Sequence, residues 1–178
     1  FSILYKLLSS PDILSADSIR LQLASEVIGQ RLYYFDSVDS TQKKANMLAG
    51  EGAPEGTAVV ADEQVSGRGR LWRSWHSPKG TGVWMSLIIR PDIPLFSAPQ
   101  MTLLTAVAGS SAIQEVTELK PAIKWPNDIL IDGKKVTGIL TEMKAESDKI
   151  HHIIIGIGIN VNQKADDFPA DLQEKAAS

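Results

Sequence analysis

The chain has 178 residues, 43% of them hydrophobic and 22% charged, enough for one globular domain with a sizeable core. A formal charge of −3 gives no whole-surface attraction for nucleic acid or an anionic membrane, so any anion binding must come from a local cluster of bases. With no cysteine, disulfides, thiolate zinc sites and a cysteine acyl-enzyme are excluded. No apolar run approaches the roughly 20 residues of a membrane span and nothing at the start reads as a signal peptide, which predicts a soluble cytoplasmic protein.

In chain order, Pro11-Asp12 breaks the opening segment and Ser15 caps a predicted helix running to about Ile28, stopped by Gly29. Leu32–Phe35 reads as a strand. Asp39-Ser40-Thr41 offers capping side chains to a helix over Gln42–Ala49, closed by Gly50. After the Ala53–Gly56 turn come the strand Thr57–Ala61, a Gly/Arg loop, a second glycine-bearing turn over Ser77–Gly82, and the β-rich Val83–Ile89. Pro99–Leu119 carries apolar residues at helical spacing and is predicted as the longest helix. Ala122–Trp125, Ile129–Ile131, Val136–Met143 and Ile150–Ile159 read as strands, with a hairpin turn at Asp132-Gly133. Hairpin-spaced strands with a few helices predict an α/β (α+β) domain built on a mixed, largely antiparallel sheet. The missing βαβ alternation argues against a doubly wound fold. The start at Phe1 and the polar, helix-like Asp171–Ser178 are the marks expected of an excerpt from a longer protein.

Gly67-Arg68-Gly69-Arg70, with Arg73 behind it, combines glycines that permit positive φ with guanidinium forks suited to phosphate or carboxylate. Spacing alone divides evenly between a ligand-gripping loop, ordered on anion binding, and a solvated basic turn or RNA-binding arginine patch. It is neither a Walker loop nor a dinucleotide fingerprint. Lys124-Trp125-Pro126-Asn127-Asp128 belongs at a sheet end and by itself reads as a turn with an ion pair. Lys134-Lys135 enters a strand whose Gly138 permits close approach of a ligand, though by itself the segment reads rather as a solvated hairpin with paired lysines. Gly156–Asn162 ends an apolar strand in small residues and amides. Ser40-Thr41-Gln42 sets hydroxyls, an amide and free N–H groups at a helix start, more than capping requires. His76, His151 and His152 lack metal-ligand spacing, so no metal ligand is assigned. Trp72 and Trp75 could wall a ligand, whereas Trp84 and Trp125 are assigned to the core.

Taken in order, DSTQ at 39–42, GRGRLWRSWHSPKGTGVWMSLIIRP at 67–91, KWPNDIL at 124–130, GKKVTGILTEM at 133–143 and GIGINVN at 156–162 resemble the catalytic domain of biotin protein ligases. The resemblance implies a fold related to class II aminoacyl-tRNA synthetases and lipoate ligases. Residues 1–28 then correspond to a linker and first helix that follow an N-terminal DNA-binding domain in repressor-type members. Residues 29–178 correspond to the catalytic domain, which the family usually extends into a small SH3-like barrel. It also implies two half-reactions: biotin and MgATP give biotinyl-5′-AMP and pyrophosphate, and a lysine of a biotin carboxyl carrier protein then attacks the mixed anhydride. By the family pattern Ser40, Thr41, Gln42 and Gln64 surround biotin, and Arg68, Gly69 and Arg70 fold over the ligand. Lys135 reaches carboxylate or phosphoryl oxygens, Gly138 and Asn160 line the site, and Asp128 orients or deprotonates the incoming lysine. Arg70, Lys135 and Asp128 form the catalytic set. The chemistry needs such cations, because a carboxylate must approach an anionic α-phosphate. Many members carry glycine where this chain has Trp72. Homodimerisation is common in the family, and DNA contact would pass only through the N-terminal domain. The nearest rivals are a lipoate–protein ligase and a non-catalytic biotin sensor of a repressor. A cysteine-dependent octanoyltransferase is excluded by the missing thiol.

Overall fold

The computed structural model describes residues 15–178. Among them, α1 (Ala16–Gln22), β1 (Leu32–Phe35), α2 (Thr41–Gly50), β2 (Ala58–Ala61), β3 (Gly82–Ile89), α3 (Gln100–Thr117), β4 (Ala122–Lys124), β5 (Asp128–Ile131), β6 (Lys134–Glu146) and β7 (Lys149–Asn160) occur in sequence. The strands form one sheet in the order β1-β2-β3-β7-β6-β5-β4. Only β1 and β2 run parallel; every other neighbouring pair is antiparallel. The mixed, largely antiparallel α/β architecture read from the sequence is therefore present.

The two faces of this sheet are written by strand alternation. In β7, Ile153, Ile155, Ile157 and Ile159 join Ile139, Met85 and Leu87 on one face, against Ala98, Met101 and Ala106 of the α3 region. Burial of each isoleucine is worth roughly 1.5–3 kcal/mol, which makes this the principal apolar layer. On the other face Val59, Ile88 and Ile154 pack beneath Ala45, Leu48 and Ala49 of α2. Beyond Ile154 this second face changes character, since its next β7 positions are Gly156 and Gly158. Core and open floor thus alternate along a single strand.

A register shift between β5 and β6 decides which way Lys135 points. Asp128 faces Gly138 and Ile129 faces Thr137, yet Leu130 faces Lys135, leaving Val136 as an extra residue in β6. Such a bulge inverts the side-chain parity, so Lys135 emerges on the same face as Gly138 and Asp128. The hairpin at Asp132-Gly133 has φ of 50° and 78°, the left-handed pair that a two-residue turn requires.

Several expectations need correction. The helix from Ser15 ends at Gln22 rather than near Ile28. Ser25 Oγ accepts from the backbone N–H groups of Val27 and Ile28 at 3.3 and 2.9 Å, a local turn that competes with helix. Residues 171–178 form turns instead of a helix and dock on β6, with the Lys135 N–H donating to Lys175 O at 2.8 Å. Trp84 is fully buried as expected, but Trp125 is 76% exposed at the β4–β5 corner. The Pro11-Asp12 break, and half of the 1–28 segment assigned as linker and first helix, lie outside the described residues.

Candidate active site

The glycines of β6 and β7 leave a cleft on the α2 face of the sheet. Their lack of side chains is needed by close neighbours. A Cβ on Gly138 would lie 2.5 Å from Trp75 Cζ3, one on Gly158 2.4 Å from Trp75 Nε1, and one on Gly156 2.5 Å from Gln42 Oε1. The Trp75 indole therefore rests on the floor of the cleft, with the Lys135 ammonium 5.1 Å from a ring centroid.

One wall is the start of α2. Ser40 occupies the N-cap position but makes no side-chain capping hydrogen bond. Gln64 takes over from outside the helix, its Oε1 accepting from Thr41 N at 2.9 Å and lying 3.0 Å from Thr41 Oγ1. Thr41 Oγ1 is 2.9 Å from Ser86 Oγ, which in turn lies 3.2 Å from Gln42 Oε1. Gln42 Nε2 donates to Glu142 at 3.1 Å, and Gln64 Nε2 donates to Ser77 Oγ at 2.9 Å. Two buried polar atoms of the cleft, Ser40 Oγ and Trp75 Nε1, have no hydrogen-bond partner among the described residues. Each such atom costs about 1–3 kcal/mol, a penalty that a polar ligand would remove.

The opposite wall is the Gly/Arg loop, which folds back as a narrow hairpin. Trp75 N donates to Gly67 O at 2.8 Å and Gly69 N to Arg73 O at 2.7 Å. Gly67 is required by contact rather than by torsion, since a Cβ there would meet Trp75 O at 2.3 Å. Positive φ, expected of the loop glycines, falls instead on Leu71 and Trp72, at 54° and 63°. This left-handed backbone costs roughly 1–2 kcal/mol per non-glycine residue. The Trp72 ring itself is 94% exposed.

Each cation of the cleft is held by a partner. Arg70 Nη1 donates to Asn127 Oδ1 at 2.7 Å, Arg68 Nη1 lies 3.5 Å from Glu142 Oε1, and Lys135 Nζ lies 2.7 Å from Asp128 Oδ1. Asn127 Nδ2 also donates to Ile139 O at 3.2 Å, tying the arginine to β6. Among the described residues no group of three or more His, Asp or Glu side chains could hold a metal ion. A wider hollow between α1 and the turn at Gly80 has more space, but among the described residues Asp62 is the one ionisable group lining it. The cationic cleft is the better candidate.

Comparison with known proteins agrees. Residues 34–160 match the Biotin/lipoate A/B protein ligase family. The chain belongs to that family. It is 58% identical over 174 residues to the bifunctional ligase/repressor BirA of Bacillus subtilis, covering 98% of this chain and 54% of that protein. Identity is 37% over 125 residues to the biotin–[acetyl-CoA-carboxylase] ligase of Paracoccus denitrificans, 69% of this chain and 51% of the relative. Among solved structures, a biotin protein ligase from Aquifex aeolicus in complex with biotin and ATP superposes with a TM-score of 0.68. That match has 38% identity and covers 83% of this chain and 59% of the other. The chain thus spans about half the length of the curated relatives it matches.

Within this ligase fold, Ser40, Thr41, Gln42, Gln64, Arg68, Gly69, Arg70, Lys135 and Gly138 all line the one cleft. Asp128 reaches it through Lys135. Asn160 does not line it: at the end of β7 its Nδ2 donates to Ala177 O at 2.9 Å, so its amide is taken up by the 171–178 segment. Residue type and spacing assign no site role to Ser86, Asn127 or Glu142, and they offer Trp75 as a wall for a ligand without placing it on the glycine floor. Strand parity could have found Ser86, which pairs with Gly156, and Glu142, which pairs with Ile154 but shares the Gly138 face of β6. No local signal marks the bulge that turns Lys135 inward.

Proposed function

We propose that this chain is the catalytic portion of an ATP-dependent biotin protein ligase that works through biotinyl-5′-AMP. The observation that carries the reading is the convergence of Arg68, Arg70 and Lys135 with the polar start of α2 on one glycine-floored cleft. A polar, uncharged wall of Ser40, Thr41, Gln42 and Gln64 suits a neutral ureido head, while the cations suit a carboxylate and a triphosphate. The substrate carboxylate attacks the α-phosphorus of MgATP, the bond to the bridging oxygen breaks, and pyrophosphate leaves. Arg70 and Lys135 offset the negative charge gathered as two anions meet. Mg2+ enters with ATP as part of the substrate, since such ions bind largely through phosphates and water. In the second step the carrier lysine attacks the acyl carbon, an amide forms, AMP departs, and Asp128 takes the ammonium proton. Lys135, which holds Asp128 in the resting cleft, would release it on turning to the substrate's anionic groups. Loop closure over the adenylate would keep water away from the anhydride.

The acceptor in this reading is a lysine of a biotin carboxyl carrier protein. Ahead of the catalytic domain, residues 1–28 act as linker and first helix, and any DNA contact belongs to a preceding domain. Homodimerisation is compatible with the reading. Among the described residues no helix is long and apolar enough to cross a membrane, in keeping with a cytoplasmic ligase. The test is to incubate the full-length protein with MgATP and either biotin or lipoate, and to search for the acyl-adenylate by mass spectrometry. Biotinyl-AMP alone supports the proposal; lipoyl-AMP, or no adenylate, overturns it.

A further inference from the structure

We infer that Glu142 is a positioning residue of this cleft, fixing the Gln42 amide and docking Arg68 without itself touching substrate. The inference rests on the ligase reading above. Glu142 lies on β6 two residues beyond Leu140, and so on the same face as Gly138, but it does not line the cleft. Its Oε2 accepts from Gln42 Nε2 at 3.1 Å and from Asn46 Nδ2 at 2.9 Å. Its other oxygen, Oε1, faces Arg68 Nη1 at 3.5 Å. One carboxylate thereby joins α2, β6 and the Gly/Arg loop.

Ionised, a carboxylate only accepts hydrogen bonds. Gln42 must therefore turn its NH2 group toward Glu142, which leaves Oε1 beside Ser86 Oγ and above Gly156. Glu142 thus sets the direction of the hydrogen-bond chain through Gln42, Ser86 and Thr41 that lines the wall proposed for the neutral ureido head. A glutamine here would have one acceptor atom for three donors, and its own NH2 would face that of Gln42. The Arg68 pair is too exposed to add much stability, so its effect is to park the guanidinium at the cleft edge.

The test uses the full-length protein and follows pyrophosphate release with biotin and MgATP. Losing a charge-assisted hydrogen bond predicts that E142Q raises KM for biotin about 10- to 100-fold while kcat changes little. E142A should add little further to Q42A, because both remove the same orientation. An unchanged KM in folded E142Q, a fall confined to kcat, or independent effects of E142A and Q42A would overturn the inference. Should E142Q fail to fold, E142D keeps the charge but is one methylene short, and the same split in KM decides. Side-chain amide NMR of Gln42 gives a readout that needs no turnover. Shifted Gln42 signals in E142Q support the inference and unchanged ones overturn it, even if the wild-type protein makes no biotinyl-AMP.

Discussion

Replacing Gly158 by alanine should destabilise the protein through a single neighbour, Trp75. The three nearest atoms to the new Cβ all belong to that indole, at 2.4, 2.6 and 3.1 Å. Overpacking of this kind costs about 1–3 kcal/mol. At about 2–4 °C per kcal/mol for a domain of this size, melting should fall by roughly 2–12 °C. In a Trp75→Ala background the clash is gone, and the strand gains about 0.5–1 kcal/mol from exchanging glycine for alanine. The sign of the effect should therefore reverse, with a coupling of about 1.5–4 kcal/mol between the two positions. Thermal melts of the wild type, the two single variants and the double variant supply all four corners of the cycle. An equal loss in both backgrounds would refute the placement of Trp75 on the cleft floor.

Arg70→Ala and Lys135→Ala should each slow adenylate formation by about 100- to 1000-fold, measured as pyrophosphate release. The exposed Arg70 should do so with little change in melting temperature; wild-type rates in either variant would sink the assignment. Asp128→Asn should instead let biotinyl-AMP form and accumulate while transfer to the carrier lysine slows by about 100- to 10,000-fold. Single-turnover mass spectrometry of the carrier separates the two steps, and unimpaired transfer would remove Asp128 from the role. His152 is buried in β7, and its pKa is held below 6.5 by desolvation, with Arg90, Lys144 and His151 adding in that order. Its neutral form stabilises the fold fully above pH 6.5, and that contribution is lost as pH falls from there toward the lowered folded-state value. His152→Gln should flatten the melting-temperature difference between pH 7.5 and pH 5; a slope equal to that of wild type would exclude His152 as its source.

The strands are largely legible in the sequence, because period-two alternation and turn residues are local signals, as at Asp132-Gly133 and Ile150–Ile159. Helix ends are less so: nothing short-range announces that Ser25 will capture the N–H groups of Val27 and Ile28. Within the site, residue type identifies the arginines, Lys135 and the Ser40–Gln42 cluster. What escapes depends on contacts across the sheet. Glu142 and Gln42 are a hundred residues apart, and Trp75 meets Gly138 and Gly158 only because β6 and β7 pair in this register. Torsional freedom is the obvious reason for the glycines of the Gly/Arg loop, yet Leu71 and Trp72 carry the positive φ. Hydrophobicity alone assigns Trp125 to the core, and the β4–β5 corner leaves it in solvent.

The Ile/Gly alternation of β7 binds two properties that most folds keep apart. Isoleucines of the α3-facing layer and glycines of the cleft floor are interleaved residue by residue. Deleting one residue of β7 ahead of Gly156 would send side chains into the ligand space and empty the layer beneath α3 in the same stroke. Insertions and deletions in the β6–β7 ribbon are therefore all-or-none events for folding and chemistry together. Substitutions at Gly156 and Gly158, in contrast, would reshape the cleft floor while leaving the α3-facing isoleucines in place. Variation of ligand preference along this strand should accordingly be confined to every second residue.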